Sequence, residues 1–205
     1  MNLKERYFRI CFNYTKNETL IENLWHEIEK KYSEKGRHYH NLNHLENMFS
    51  ELEPVKDKIL NFNNVSFSVF YHDVIYDATS KMNEEKSAEF AKSRLQKLGL
   101  NEIDLAEISE QILATKSHQL SKKSDINYLL DVDLSVLGKD TQTYLGYTKQ
   151  IRKEYSIYPD FLYNPGRKKV LKHFLDLENI FKTEDFRNKY ESQARKNIEF
   201  ELNNL

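Results

Sequence analysis

The sequence predicts an all-α fold, and three observations carry that expectation. Three prolines and five glycines in 205 residues are too few for the turns that sheets consume. Apolar residues recur at three- and four-residue steps through most of the chain. Capping residues and glycines stand at the ends of several of these stripes.

The elements follow in order. Residues 3–14 are apolar and aromatic at a helical spacing. Ile21, Leu24, Trp25, Ile28 and Tyr32 form a clearer stripe, with caps in the Thr15–Thr19 region and a stop at Gly36. A third helix begins near Asn41 with the stripe Leu42, Leu45, Phe49 and Leu52. His44 and Met48 flank that stripe one turn apart, which sets His44 at the edge of the buried face. His40 falls at or just before the first turn, and His38 reads as a loop residue.

Pro54 and residues 61–64 bracket a short helix or loop. Val65 to Tyr76 is apolar on almost every side, as expected of a helix buried all round. A strand is the competing reading, and the scarcity of glycine and proline favours helix. This helix would carry His72 and Asp73, with Asp77 one turn beyond Asp73 on the same face. Asn83 is a candidate N-cap for the next helix. Glu84 and Glu85 occupy its first turn, where the helix dipole favours acids, and Glu84 alternatively faces a site. Ala88, Ala91, Leu95 and Leu98 supply the stripe and Gly99 the stop.

A helix from Glu102 to Thr115 follows, then His118 in a Lys-Ser-His turn. Between Asp125 and Leu137, residues Ile126, Leu129, Leu130 and Leu137 define one face, and Asp133 falls on it. Asp131 aligns instead with Asn127, Tyr128 and Ser135, a more polar side. Three helices come after Gly138. Tyr144, Tyr147, Ile151, Tyr155 and Tyr158 line the first, and Val170, Leu171, Phe174 and Leu177 the second. Phe186, Tyr190, Ala194, Ile198 and Leu202 line the last, and Arg152, Arg167 and Arg195 ride on these helices. No repeat or long linker divides the chain, so residues 1–205 are expected to form one domain.

The totals bound the function. With 31 basic and 32 acidic residues, nothing suggests a nucleic-acid polymer or a membrane surface as partner. A single cysteine, Cys11, precludes an intrachain disulfide and suits a reducing cytoplasm, and no stretch reads as a signal peptide or a membrane span. The oligomeric state is open.

The chemistry gathers around Phe70–Asp77. An imidazole and a carboxylate inside an apolar run are costly without a partner, and a divalent cation would supply one. The inward set is His44, His72, Asp73 and Asp133, drawn from three helices. Such a mixed nitrogen and oxygen set suits manganese, iron, zinc, cobalt or nickel.

His…His-Asp…Asp in a helical chain resembles the HD superfamily of metal-dependent phosphohydrolases. Tyr39-His40-Asn41-x-x-His44 is similar to the segment with which cyclic-nucleotide phosphodiesterases supply a catalytic histidine and then a metal ligand. The chain looks closer still to a family of predicted bacterial HD phosphohydrolases of about this length. The stretches that carry this are Arg37–Asn41, Phe70–Asp73, Tyr76-Asp77, Asn83–Glu85, Leu130–Asp133, Ile151-Arg152, Glu154-Tyr155 and Ala194-Arg195. In alarmone hydrolases of the superfamily a glutamate stands where Tyr76 is here.

The resemblance implies an HD-domain-like helical bundle, with the metal-site core at about 36–140 and flanking helices at 1–35 and 141–205. It implies hydrolysis of a phosphate mono- or diester, most naturally a nucleotide. His44, His72, Asp73 and Asp133 would hold the metal, and His40 would protonate the leaving oxygen. Asp77, or less readily Glu84, would orient or deprotonate water. His118 would reach a second ion, such as magnesium, and Arg37, Arg152 or Arg167 would hold phosphate charge. Two alternatives use the same residues: a di-iron oxygenase of HD type, and a nucleotide-binding signalling domain without turnover.

Overall fold

Every residue from 1 to 205 is described by the computed structural model, which contains helices and no strand. The helices are α1 (Leu3–Cys11), α2 (Glu18–Tyr32), α3 (Leu42–Leu52), α4 (Phe62–Tyr71), α5 (Asn83–Leu98) and α6 (Glu102–Ala114). They continue as α7 (Ser124–Leu134), α8 (Thr141–Glu154), α9 (Asp160–Asp176), the single turn α10 (Glu184–Phe186) and α11 (Ser192–Asn204). Short 3₁₀ segments follow α3 and α7, and a π-helical turn over Arg187–Glu191 leads into α11. No helix is long and apolar enough to cross a membrane.

Local chemistry explains the boundaries. Asn2 and Glu5 form a reciprocal capping box on α1, and Asn17 caps α2 through the Leu20 N–H. Asn41 starts α3 by accepting from the Asn43 N–H. Gly99 ends α5 at φ +90°, a conformation that glycine takes without a Cβ penalty. Gly138 is fixed by proximity instead: a Cβ there would stand 2.8 Å from the Tyr190 carbonyl oxygen.

α4 lies at the centre. Val65, Phe67, Val69, Phe70 and Tyr71 are fully buried, and Phe70 packs on Tyr7, Trp25 and Phe49. One apolar cluster runs from Leu3 through α4 to Ile198, so the terminal helices share the core that supports the site.

Three expectations need correction. α4 stops at Tyr71 and does not continue to Tyr76: His72 is its C-cap, and the Val74 N–H turns back to the Tyr71 carbonyl. Asp77 therefore does not share a helical face with Asp73. Asn83 does not cap α5. It is buried in the first turn, where its side chain accepts from the Asp77 N–H and donates to the Asp77 carbonyl, tying down the 77–82 loop. Asp131, expected on a more polar side of its helix, is fully buried, because the segment after α9 folds over it. Its carboxylate accepts from Lys182 N at 2.6 Å, Thr183 N at 2.7 Å and Thr183 Oγ1 at 2.7 Å.

Asp131→Ala should therefore cost about 2–4 kcal/mol, since it strands two backbone donors in the core. Urea unfolding checks this, and a loss below about 0.5 kcal/mol would show that those donors find water instead.

The last helices also shift from expectation. α8 ends at Glu154, so Tyr155 and Tyr158 lie in the turn that follows. α9 begins at Asp160, ten residues before the predicted stripe, and accommodates Pro165 inside it. These two changes shape the wall of the cleft described next.

Candidate metal centre

Three side chains from three elements converge beneath a cleft that Asp133 lines and under which His44 and His72 are buried. His44 comes from the first turn of α3, His72 from the end of α4 and Asp133 from the last turn of α7, with donor atoms all within 4.8 Å of one another. His44 Nε2 is 3.2 Å from His72 Nε2 and 3.2 Å from Asp133 Oδ1, and His72 Nε2 is 3.7 Å from Asp133 Oδ1. Ligands about 2.1 Å from one ion stand roughly 3.0–3.4 Å apart at right or tetrahedral angles, so this spacing suits a shared cation.

The protons make the stronger case. His72 Nδ1 lies 2.9 Å from the Val69 carbonyl, which fixes the ring proton there. In the neutral ring Nε2 then presents a bare lone pair to His44 Nε2, to Asp133 and to Asp73 Oδ2 at 3.1 Å. The His72 lone pair and the Asp73 and Asp133 oxygens are three acceptors facing one another, and a proton or a cation is needed among them. The donors fit a divalent transition metal.

Asp73 stands beside this group of three, touching His72 and, at 3.9 Å, His40 Nε2. His118 donates to the other oxygen of Asp133 at 2.9 Å, so Asp133 bridges two sets of donors. His118 is the one non-glycine residue with positive φ, +49°, in the left-handed region that histidine enters more often than most side chains.

Electrostatics match the geometry. Burial opposes charge on His72, but Asp73 and Asp133 outweigh it and raise the imidazole to about 9. Burial prevails at His44, with help from His72 and His40, and lowers it. Burial opposes charge on Asp73 too, yet His72 and His40 hold it below the usual carboxylate range; Asp133 is held down in the same way by His118 and His44. Without metal the site therefore keeps a proton on His72.

A pH prediction follows. A raised histidine contributes stability that is complete below about pH 6.5 and lost as pH rises through about 9. The metal-free chain should thus lose thermal stability between pH 6.5 and 8.5, whereas manganese should bind more tightly across that range because it displaces the proton. Melting curves with and without manganese test both. A metal-free curve that rises over this interval would contradict the assignment.

His40 is held by a residue that the sequence reading gave no role. Glu154, at the end of α8, accepts from His40 Nδ1 at 2.6 Å, from the Tyr39 and His40 N–H groups at 2.7 and 2.9 Å, and from Tyr76 Oη at 3.0 Å. Tyr76 stacks on the His40 ring at 4.3 Å, and Tyr39 packs between His44 and Tyr147. Burial lowers the affinity of His40 for a proton, and Asp73 and Glu154 more than restore it. A signal for Glu154 did exist: it falls on the Tyr147–Ile151 face of α8, an acid on an apolar stripe.

Other candidates lie elsewhere. Asp77 is exposed and accepts from Thr79 N and Oγ1; it does not itself line the cleft, although Tyr76, Ala78 and Thr79 do. Glu84 lines the cleft rim. Arg37 donates to the carbonyls of His40, Asp73 and Val74, fastening the histidine loop to the turn after α4. Arg152 is bound by Asp160 and the carbonyls of Tyr155 and Tyr158, and Arg167 by Glu201. Each of these guanidinium groups is committed to a protein partner.

The cleft has a volume of about 1030 Å³ and runs from Asp133 and His40 to a wall of tyrosines from α8, α9 and the turn between them. No family model, curated protein or solved structure matches this chain.

Proposed function

We propose that the protein is a metal-dependent phosphohydrolase of HD type acting on a small phosphoester. The observation that carries this is the convergence of His44, His72 and Asp133, with donor atoms within 4.8 Å of one another, set beside a histidine whose far nitrogen is anchored on Glu154. The HD-like order of these residues along the chain supports the same reading.

His44, His72 and Asp133 would hold the ion, with Asp73 as a fourth ligand and His118 reaching a second ion across Asp133. When bound there, such an ion would supply Lewis acidity toward the phosphoryl oxygens and a water of lowered pKa. The chain's own residues do the rest. Glu154 fixes the His40 proton on Nδ1 and stabilises the imidazolium, leaving Nε2 to donate to a departing alkoxide. Tyr76 and Tyr39 keep both imidazoles in register through packing. With Asp77 turned to solvent, Asp73 is the carboxylate best placed to orient the attacking water.

The test is a hydrolysis screen over nucleotides and simple phosphoesters, using metal-free protein resupplied with manganese, zinc, magnesium or iron. Turnover with redox-inert metals supports the proposal. Activity only with iron, accompanied by oxygen consumption, would replace it with the oxygenase reading. Tight nucleotide binding without turnover in any metal would replace it with a signalling domain.

A further inference from the structure

The outer face of α9 is open to solvent and carries two kinds of side chain. Phe161, Leu162, Pro165, Lys169 and Lys172 recur there at three- and four-residue steps, opposite the buried Tyr163, Arg167 and Leu171. Phe161 is 74% exposed and Leu162 54%, and Ile157, in the turn just before, is 69% exposed. Single apolar residues are ordinary on a surface, whereas a group gathered at one corner marks a contact.

Charge follows along the same face. Lys168, Lys169 and Lys172 share a surface depression with Pro165, His173 and Asp176. From Thr141 to Asp176 the chain has seven basic and three acidic residues, and two of the acids, Glu154 and Asp160, are already bound by His40 and Arg152. The near-neutral total of the whole chain averages this local excess away.

The order of these groups selects the partner. The apolar side chains stand at the tip, and the lysines begin roughly 10 Å behind them along the helix. A bilayer presents matching layers, hydrocarbon beneath anionic headgroups. A second copy of the chain fits less well, since a two-fold contact centred on this face would set lysines against lysines.

We propose that the α9 face docks on an anionic lipid surface. Ile157, Phe161 and Leu162 enter the acyl boundary, and Lys168, Lys169 and Lys172 meet the headgroups. Leu162, Lys169 and His173 also line the cleft, so docking turns the cleft towards the membrane. The proposal stands on the α9 surface and is independent of the phosphohydrolase reading.

The experiment is co-sedimentation of the full chain with vesicles of phosphatidylcholine alone or with about one third phosphatidylserine. The chain should bind the anionic vesicles at least about tenfold more tightly, and lose most of that preference at about 0.5 M salt. Phe161→Ser combined with Leu162→Ser should weaken binding at least about tenfold, as should Lys169→Gln combined with Lys172→Gln. Melting curves of both variants should match wild type, because all four positions are exposed. Phe161→Trp should show a blue-shifted emission on anionic vesicles, against a baseline from the buried Trp25. Equal binding to both vesicle types, no binding to either, or wild-type affinity in both double variants would overturn the proposal. Preference for polyglutamate over vesicles, with no blue shift in Phe161→Trp, would replace the membrane with an acidic protein partner.

Discussion

Asp133→Ala is expected to weaken divalent-metal binding by about a hundredfold or more and to abolish metal-dependent phosphoester turnover. The size of the effect comes from the double use of this carboxylate. One oxygen completes the set formed with His44 and His72, and the other accepts from His118, so one truncation removes a ligand and releases a second imidazole. Removing Asp133 also leaves buried His72 with Asp73 as its adjacent carboxylate and takes from buried His44 its carboxylate partner. Metal affinity by calorimetry and helical content by circular dichroism separate loss of the site from loss of the fold. A variant that stays folded and binds manganese as wild type does would remove Asp133 from the centre.

Glu154→Gln should leave metal content unchanged and lower turnover by about 10²- to 10⁴-fold, the range that general acid catalysis supplies. The glutamine carbonyl can still accept from the Tyr39 and His40 backbone. Its amide then faces His40 Nδ1, the position from which the histidine must donate. Losing the negative charge also lowers the pKa of His40, because Glu154 and Asp73 are what raise it against burial. The basic limb of the pH–rate profile should therefore move to lower pH. Turnover within about threefold of wild type, with an unmoved basic limb, would mean that Glu154 only supports the fold.

What the sequence made legible follows from the range of the physics involved. The all-α class and most helices could be read because their signals lie within one or two turns: Asn17 and Asn41 as caps, Gly99 as a stop, regular stripes between them. His44, His72 and Asp133 were legible because a polar residue on an apolar face stands out along a single helix. The end of α4 was not, since the apolar run continues past Tyr71 with no glycine or proline to mark the turn. Asp77 was misplaced with it. The burial of Asp131 depends on residues 180–183, more than fifty positions away, and no local periodicity reports that contact. The arginines read as phosphate clamps because charge is visible in a sequence. Their partners Glu201, Asp160 and a set of backbone carbonyls come from tertiary packing.

The central claim is that His44 and His72 hold a divalent ion together with Asp133. The most direct test is the imidazole NMR spectrum of the metal-free chain during titration with manganese. Seven histidines report independently; His26 is exposed on α2 and does not line the cleft, whereas His173 does. The ring signals of His44 and His72 should broaden first, at substoichiometric manganese, followed by His118 and His40, with His26 the least affected. Broadening that begins at His26, or that spreads evenly over all seven, would contradict the site.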